Sequence, residues 1–342
     1  KKNARGSWRD LDEAIVGFDV TPRQIIDRLT QAANDIELPH PVHIHCNNLG
    51  IPGNYSTTLE TMNLLAGRKA HLTHIQFHSY GGGGTDESKM SSQVQSLVEV
   101  VNQNPDLSVD VGQVMFGRTT SMTADGPLGY YLQTIGGEKW FSADVELESG
   151  CGISPIDYRN TNKIHALQWA IGLEWYLSVN DPWQVVMSSD HPNGGSFLAY
   201  PKIIRLLMDS AFRKEELSAI NPDWLANSFL PDIDREYSLN EIAIITRAGP
   251  AKLLGLKNKG HLGIGADADI TVYSPNRNYE TMFAWPHLVV KGGDLVVEDG
   301  EFRQTSNGKL ISVHANYDQG YDAKIQEWFH DKYSIPMHVI GP

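Results

Sequence analysis

Apolar positions along the chain fall into two alternating rhythms. Residues 21–36, TPRQIIDRLTQAANDI, carry apolar side chains at helical spacing behind a Thr at the N-cap and a Pro at the first helical position, which predicts a helix. PVHIHCNN at 41–48 is a short β-branched run and reads as a strand. NYSTTLETMNLLAGRKA reads as a helix from near Ser56 to about Gly67, and AHLTHIQFHSY at 70–80 as a second strand, stopped by Gly81–Gly84. A helix is expected over about 88–104, then a strand at LSVDVGQVMF, 107–116. Residues 117–162 read as one long irregular, Gly-rich loop of functional rather than disordered character. A helix at HALQWAIGLEWYLS, a strand at PWQVVMSSD and a helix entered at Ser238 follow. Strand and helix in alternation predict βα units on a parallel sheet.

The rhythm changes at Gly260. GHLGIGADADITVYSP and HLVVKGGDLVVEDGEFR alternate apolar and polar residues around Gly turns, as antiparallel strands do. The expected layout is a partial barrel over 1–258, a small β-sandwich segment over 259–315 and a C-terminal helix with tail over 316–342.

Composition removes several function classes. The net charge of -13 argues against nucleic-acid or anionic-membrane partners. No apolar run approaches the roughly 20 residues that span a bilayer. The polar opening KKNARGSWRDLDEAI has no apolar signal core, and two cysteines, Cys46 and Cys151, favour a reducing, cytoplasmic setting.

Chemistry concentrates at strand ends. His43 and His45 share one face of their strand by the period of two, and His74, Gln76 and His78 share one face of the next. Each alone is most simply a hydrogen-bonded core histidine; two neighbouring strands offering them together suggest ligands. VVMSSDHPNGG is an apolar strand ending in Asp190, where an unpartnered buried charge would be costly. Its plainer reading is an N-cap. Imidazoles and a carboxylate at the mouth of a parallel barrel suit zinc with an open position for water. His191 alternates away and takes at most a supporting place.

These residues resemble the amidohydrolase superfamily. IHCNN is similar to its fifth-strand motif, LTHIQ to its sixth-strand His motif, SSDHP to its eighth-strand motif, and GPAKLLGLKNKGHLGIGADADITVYSP to its closing segment. PVHIHCNNLGIPGNYSTTLETM, AHLTHIQFHSYGG and FDVTPRQII resemble, more narrowly, the family of amidohydrolase subunits found in formylmethanofuran dehydrogenase.

That resemblance implies an α/β fold: the C-terminal part of a (β/α)8 TIM-like barrel plus a small antiparallel β-sandwich unit. It implies an enzyme that joins formate to the amine of methanofuran, reversibly, at two zinc ions. His45 and His74 would be ligands, His43 and His78 their rivals, and Asp190 both ligand and acid–base group. Asn47, Asn48 and Arg118 are substrate-binding candidates, Arg118 by holding formate bidentately; an ordinary surface role suits Arg118 equally. The implied partners carry a tungsten- or molybdenum-pterin site and iron–sulfur clusters, with heterodisulfide reductase a further candidate.

The family also places a His-x-His pair on its first strand and a bridging carboxylated Lys on its fourth. No residue before 40 matches either, so another segment or chain is expected to supply them, and the strand at 41–46 is expected to present an open edge. Three other readings compete: a stand-alone dihydropyrimidinase-like or aminoacylase hydrolase, the related subunit of a hydrolytic formyltransferase/hydrolase complex, and a scaffold that has lost its metals.

Overall fold

The structure is a computed structural model that describes residues 9–15, 19–83, 89–123, 152–313 and 318–332. The first helix, α1 (Pro22–Asp35), starts on a reciprocal capping box: the Thr21 hydroxyl accepts from Gln24 N and the Gln24 side chain accepts from Thr21 N. Strand β1 (Val42–Ile44), helix α2 (Tyr55–Leu64), strand β2 (Ala70–Leu72), helix α3 (Val94–Gln103) and strand β3 (Leu107–Asp110) follow as βα units. A hairpin comes next, β4 (Gly117–Thr123) with β5 (Gly152–Tyr158), and then α4 (Lys163–Ser178) and β6 (Val185–Val186).

Strands β1, β2, β3 and β6 form one parallel sheet in that order. Its register sets Ile44, Leu72, Val109 and Val185 in one row and His43, His71 and Ser108 in another. Apolar and polar rows thus alternate with the pleat. Among the described residues β1 pairs only with β2, so its far edge is open, and His43 and His45 are exposed there. The core lies between this sheet and its helices. Helix α4 is buried from Ile164 to Leu177, which accounts for its apolar character on every side, and Trp175 Nε1 donates to Ser79 Oγ at 2.8 Å.

Several expectations need correction. The second strand ends at Leu72 rather than Tyr80: His74 takes φ 36°, ψ 51°, and Ile75–His78 form a 3-10 turn. The alternation of side chains continues along the sequence, but the left-handed residue ends the pleat. The stretch 117–162 is not wholly irregular, because the β4–β5 hairpin occupies both ends of it; residues 124–151, including Gly136, Gly137 and Cys151, lie outside the described residues. The strand expected at 182–190 is reduced to Val185–Val186, after a Pro182–Gln184 turn.

Beyond β6 come α5 (Tyr200–Met208) and α6 (Ser210–Ser218). The helix entered at Ser238 is a composite of α7 (Leu239–Ala243), a π turn (Ile244–Ala248) and α8 (Gly249–Leu253). Its capping box pairs Ser238 with Glu241. Pro250 has no N–H and its ring crowds the preceding turn, and the wider π turn accommodates both. Ile245 O accepts from Met187 N at 2.9 Å, tying this helix to the strand that leads to Asp190.

The last sheet is antiparallel, in the order β10-β9-β8-β7, with β7 (Ile270–Tyr273), β8 (Pro286–Lys291), β9 (Asp294–Glu298) and β10 (Glu301–Phe302). Helix α9 (Tyr279–Ala284) lies between β7 and β8. Gly292 and Gly293 turn the β8–β9 hairpin with φ of 60° and 95°, values a two-residue turn of this hand demands. Helix α10 (Asp322–Lys332) ends the described chain. Among the described residues no helix is long and apolar enough to cross a membrane.

Candidate active site

The chain leaves β1 at Ile44 and β2 at Leu72, and the next residues converge. His45 Nδ1 and His74 Nε2 stand 2.7 Å apart, with the rings edge to face and centroids at 4.6 Å. Which nitrogen carries the proton depends on the tautomer. Nitrogens bound to one tetrahedral zinc at about 2.0–2.1 Å lie roughly 3.3 Å apart, so a small opening of this pair admits an ion.

Asp190 is rooted beside His74. A Cβ placed on Gly112 would meet His74 Cβ at 2.7 Å and Asp190 Cβ at 3.4 Å, so the two side chains flank the same glycine. Gly112 itself has φ 70°, so it is suited to this place by conformation as well as size. The turn after Asp190 is held firmly. Asn193 N donates to Asp190 O at 2.6 Å, Asn193 Nδ2 donates to Asp190 Oδ2 at 3.1 Å, and Gly194 N donates to Ser189 O at 3.0 Å. The hairpin clamps it from outside: Thr119 Oγ1 donates to Pro192 O, and Tyr158 Oη donates to Asn193 O at 3.0 Å. Burial pushes the Asp190 carboxyl up to about 7; the Asn193 amide opposes this and the charge of Asp110 adds to it.

The other candidates take different places. His78 is fully buried and stacks on His74 with centroids at 5.2 Å, one turn further on, rather than joining the His45–His74 contact. His43 packs on His71 at 4.7 Å, one pleat deeper than His45. Asn48 is buried at φ 60°, and its amide is taken up by the N-terminal segment: Oδ1 accepts from Arg9 N and Nδ2 donates to Arg9 O, both at 2.9 Å. Asn47 Nδ2 reaches the same carbonyl at 3.5 Å. Arg118 is exposed on β4 opposite Asp157, one residue from the Thr119 contact. His191 accepts from Phe197 N at 3.3 Å and lies against that ring, away from the pair.

Sequence reasoning missed Asp110. It ends β3 with its side chain 17% exposed; Oδ1 accepts from His74 N and Oδ2 pairs with His71 Nε2, both at 3.1 Å. Burial acts to raise its carboxyl, but the His71 hydrogen bond and the charges and N–H around it prevail and hold it below the usual range. SVDVG, like VVMSSD, is an apolar strand that closes on a carboxylate, and that pattern is the signal for Asp110.

Among the described residues no group of three or more His, Cys, Asp or Glu has complete metal-binding spacing. What is present is part of a donor set: two imidazole nitrogens in contact and a carboxylate rooted next to one of them. Nitrogen and oxygen donors in this number fit zinc once further ligands are added.

Known proteins resemble this chain over most of its length. FwdA of Methanocaldococcus jannaschii is 43% identical over 322 residues, covering 89% of this chain and 56% of the relative. FhcA, from the formyltransferase/hydrolase complex of Methylorubrum extorquens, is 38% identical over 341 residues, covering 97% and 61%. A chain of the crystal structure of the M. extorquens FhcABCD complex with methylofuran superposes with a TM-score of 0.87 at 37% identity, again over 97% of this chain and 61% of that one. The chain therefore spans between 56% and 61% of the length of these relatives. Residues 3–297 match the profile of the Amidohydrolase family. With that match and these two relatives, the chain belongs to the amidohydrolase family.

Proposed function

We propose that this chain forms part of the formyl-handling subunit of a formylmethanofuran dehydrogenase, making and breaking the C–N bond of an N-formyl amine. The observation that carries the reading is the contact of His45 with His74 beside Asp190, in a chain 43% identical to FwdA. His45 and His74 would hold zinc, with Asp190 as a third donor. A His-x-His pair and a carboxylated Lys from outside these 342 residues would complete a two-zinc site, the open edge of β1 being where the neighbouring strand adds. Zinc, when bound, supplies Lewis acidity toward the formyl oxygen and acidifies water.

Asp190 does the proton work. In hydrolysis its carboxylate takes the proton of the attacking water and delivers it to the leaving amine nitrogen. In condensation it takes a proton from the attacking amine and returns it to the departing oxygen. The clamped turn from Asp190 to Gly194 keeps this carboxylate in one orientation through both steps. Arg118 is a candidate for holding formate, and Asn47 and Asn48 shape the loop after β1. Partner subunits with the tungsten- or molybdenum-pterin site and iron–sulfur clusters would supply the formate, in a cytoplasmic complex.

The experiment is Asp190→Asn in the purified complex, assaying CO2 reduction to formate and formyl transfer separately. Formyl transfer is expected to fall by roughly 100-fold or more while formate production persists; full retention of formyl transfer refutes the role. Metal analysis is expected to give about two zinc per chain, as a dinuclear site requires. The similarity to FhcA supports a second reading, a hydrolytic formyltransferase/hydrolase complex. Co-purification without a pterin-bearing protein decides for it.

A further inference from the structure

His74 sits where a side-chain-bearing residue rarely does, at φ 36°, ψ 51°, a strained conformation that persists where the surroundings impose it. Two neighbours impose it. Gly112 lies so close under His74 that a methyl group there would come within 2.7 Å of its Cβ. Asp110 faces it from the end of β3 and takes the His74 N–H on Oδ1 at 3.1 Å. The other oxygen, Oδ2, meets His71 Nε2 at 3.1 Å, and His71 Nδ1 meets Ser108 Oγ at 2.9 Å. The carboxylate thus spans the two, with Oδ2 on the polar row beneath and Oδ1 on the His74 N–H above. From this left-handed conformation His74 Nε2 meets His45 Nδ1 at 2.7 Å.

We propose that Asp110 is a positioning residue: its carboxylate holds the His74 backbone in the left-handed conformation that brings the ring onto His45. The proposal rests on the reading of His45 and His74 as zinc ligands. The hydrogen bonds of Asp110 go to the His74 backbone and to His71. It acts through one N–H, and an acceptor oxygen is the property required there. Asparagine retains that oxygen and leucine does not. His71→Phe, in contrast, breaks the buried pair with Asp110 while leaving the acceptor for His74 in place.

The test compares the full-length chain, purified with the subunits that accompany it, with its Asp110→Leu, Asp110→Ala, Asp110→Asn and His71→Phe variants. Zinc affinity is read by competition with a chromophoric chelator, and exchange of the amides of residues 73–75 by mass spectrometry. Asp110→Leu, or Asp110→Ala if the leucine form does not fold, is expected to weaken zinc roughly 10–100-fold and to speed exchange. Asp110→Asn and His71→Phe are expected to stay within about threefold of the parent on both readouts, a small fraction of the effect of losing such a partner. Parent-like zinc affinity in the acceptor-free variants overturns the proposal. So does a loss in His71→Phe as large as theirs, which would mark general packing. If the parent itself takes up no zinc, the metal reading fails, and the exchange of residues 73–75 still decides whether Asp110 holds His74.

Discussion

Glu174 offers a sharp test of how the barrel helices are joined. It is fully buried on α4, and its carboxylate is satisfied by hydroxyl and backbone donors rather than by a cation. Oε1 accepts from Ser228 Oγ at 2.6 Å, Phe229 N at 2.8 Å and Leu230 N at 3.2 Å, and Oε2 accepts from Ser92 Oγ. One carboxylate therefore pins the entry to α3 and the 228–230 loop to the central helix. Glu174→Ala leaves the Phe229 N–H unpaired at about 1–3 kcal/mol and strips two serine hydroxyls of bonds to a charged acceptor, each worth about 1.5–3 kcal/mol. Leu230 N keeps Ser228 Oγ at 3.2 Å, and the removed carboxylate no longer has to be desolvated. Roughly 3–5 kcal/mol of net loss remains. Glu174→Gln keeps the three-fold acceptor and is expected to cost under about 1.5 kcal/mol, one ordinary hydrogen bond. The pH dependence adds a sign. Burial raises the carboxyl above its ordinary 4.5, so between that value and the higher folded pKa the native state holds more protons than the unfolded chain. Parent stability should therefore decline as pH rises through that window, and the glutamine variant should lack this decline. Urea unfolding at several pH values measures both effects. An alanine variant within about 1 kcal/mol of the parent, or a glutamine variant as damaged as alanine, refutes the acceptor account.

Three further outcomes are expected. Asn54→Ala should cost about 2–4 kcal/mol by urea unfolding, because its buried amide donates to Asn48 O and Phe77 O and accepts from Tyr80 N, stitching the two histidine-bearing loops together. Gly112→Ala should cost about 2–4 kcal/mol through contact with His74 and its positive φ, and should weaken zinc binding by titration more than an alanine at Gly67, whose surroundings are open. Gly194→Ala should lower thermal stability and formyl transfer together, since a methyl there meets Ser189 O, Gln113 O and Gly112 O within 2.8 Å, and relief would displace the Asp190 turn.

Much of the fold could be read from local chemistry. The caps at Thr21 and Ser238 announce their helices, and the glycine pair at 292–293 announces its hairpin. What was illegible depended on partners distant in sequence. Thr, Ser and Gly in β4 resemble a loop until β5, more than 28 residues later, pairs with it. The strand over-read beyond Leu72 fails at His74, where Asp110 and Gly112, both on the following βα unit, impose a left-handed turn that no property of LTHIQ foretells. The candidate site divides the same way. His45, His74 and Asp190 are legible as strand-end residues, but that His74 rather than His78 meets His45 depends on the turn that follows Leu72.

The π turn at Ile244–Ala248 makes Asp190 answer to a helix outside the histidine cluster. A π turn is an α-helix carrying one residue more than its pitch, and the widening releases Ile245 O to receive Met187 N, three residues before Asp190. Insertions and deletions in this stretch are consequently not interchangeable with substitutions. Removing one residue would restore regular pitch, return this carbonyl to a bond within the helix, and withdraw it from Met187. The length of this segment is thus a mechanical constraint on the position of Asp190, distinct from any constraint on its composition.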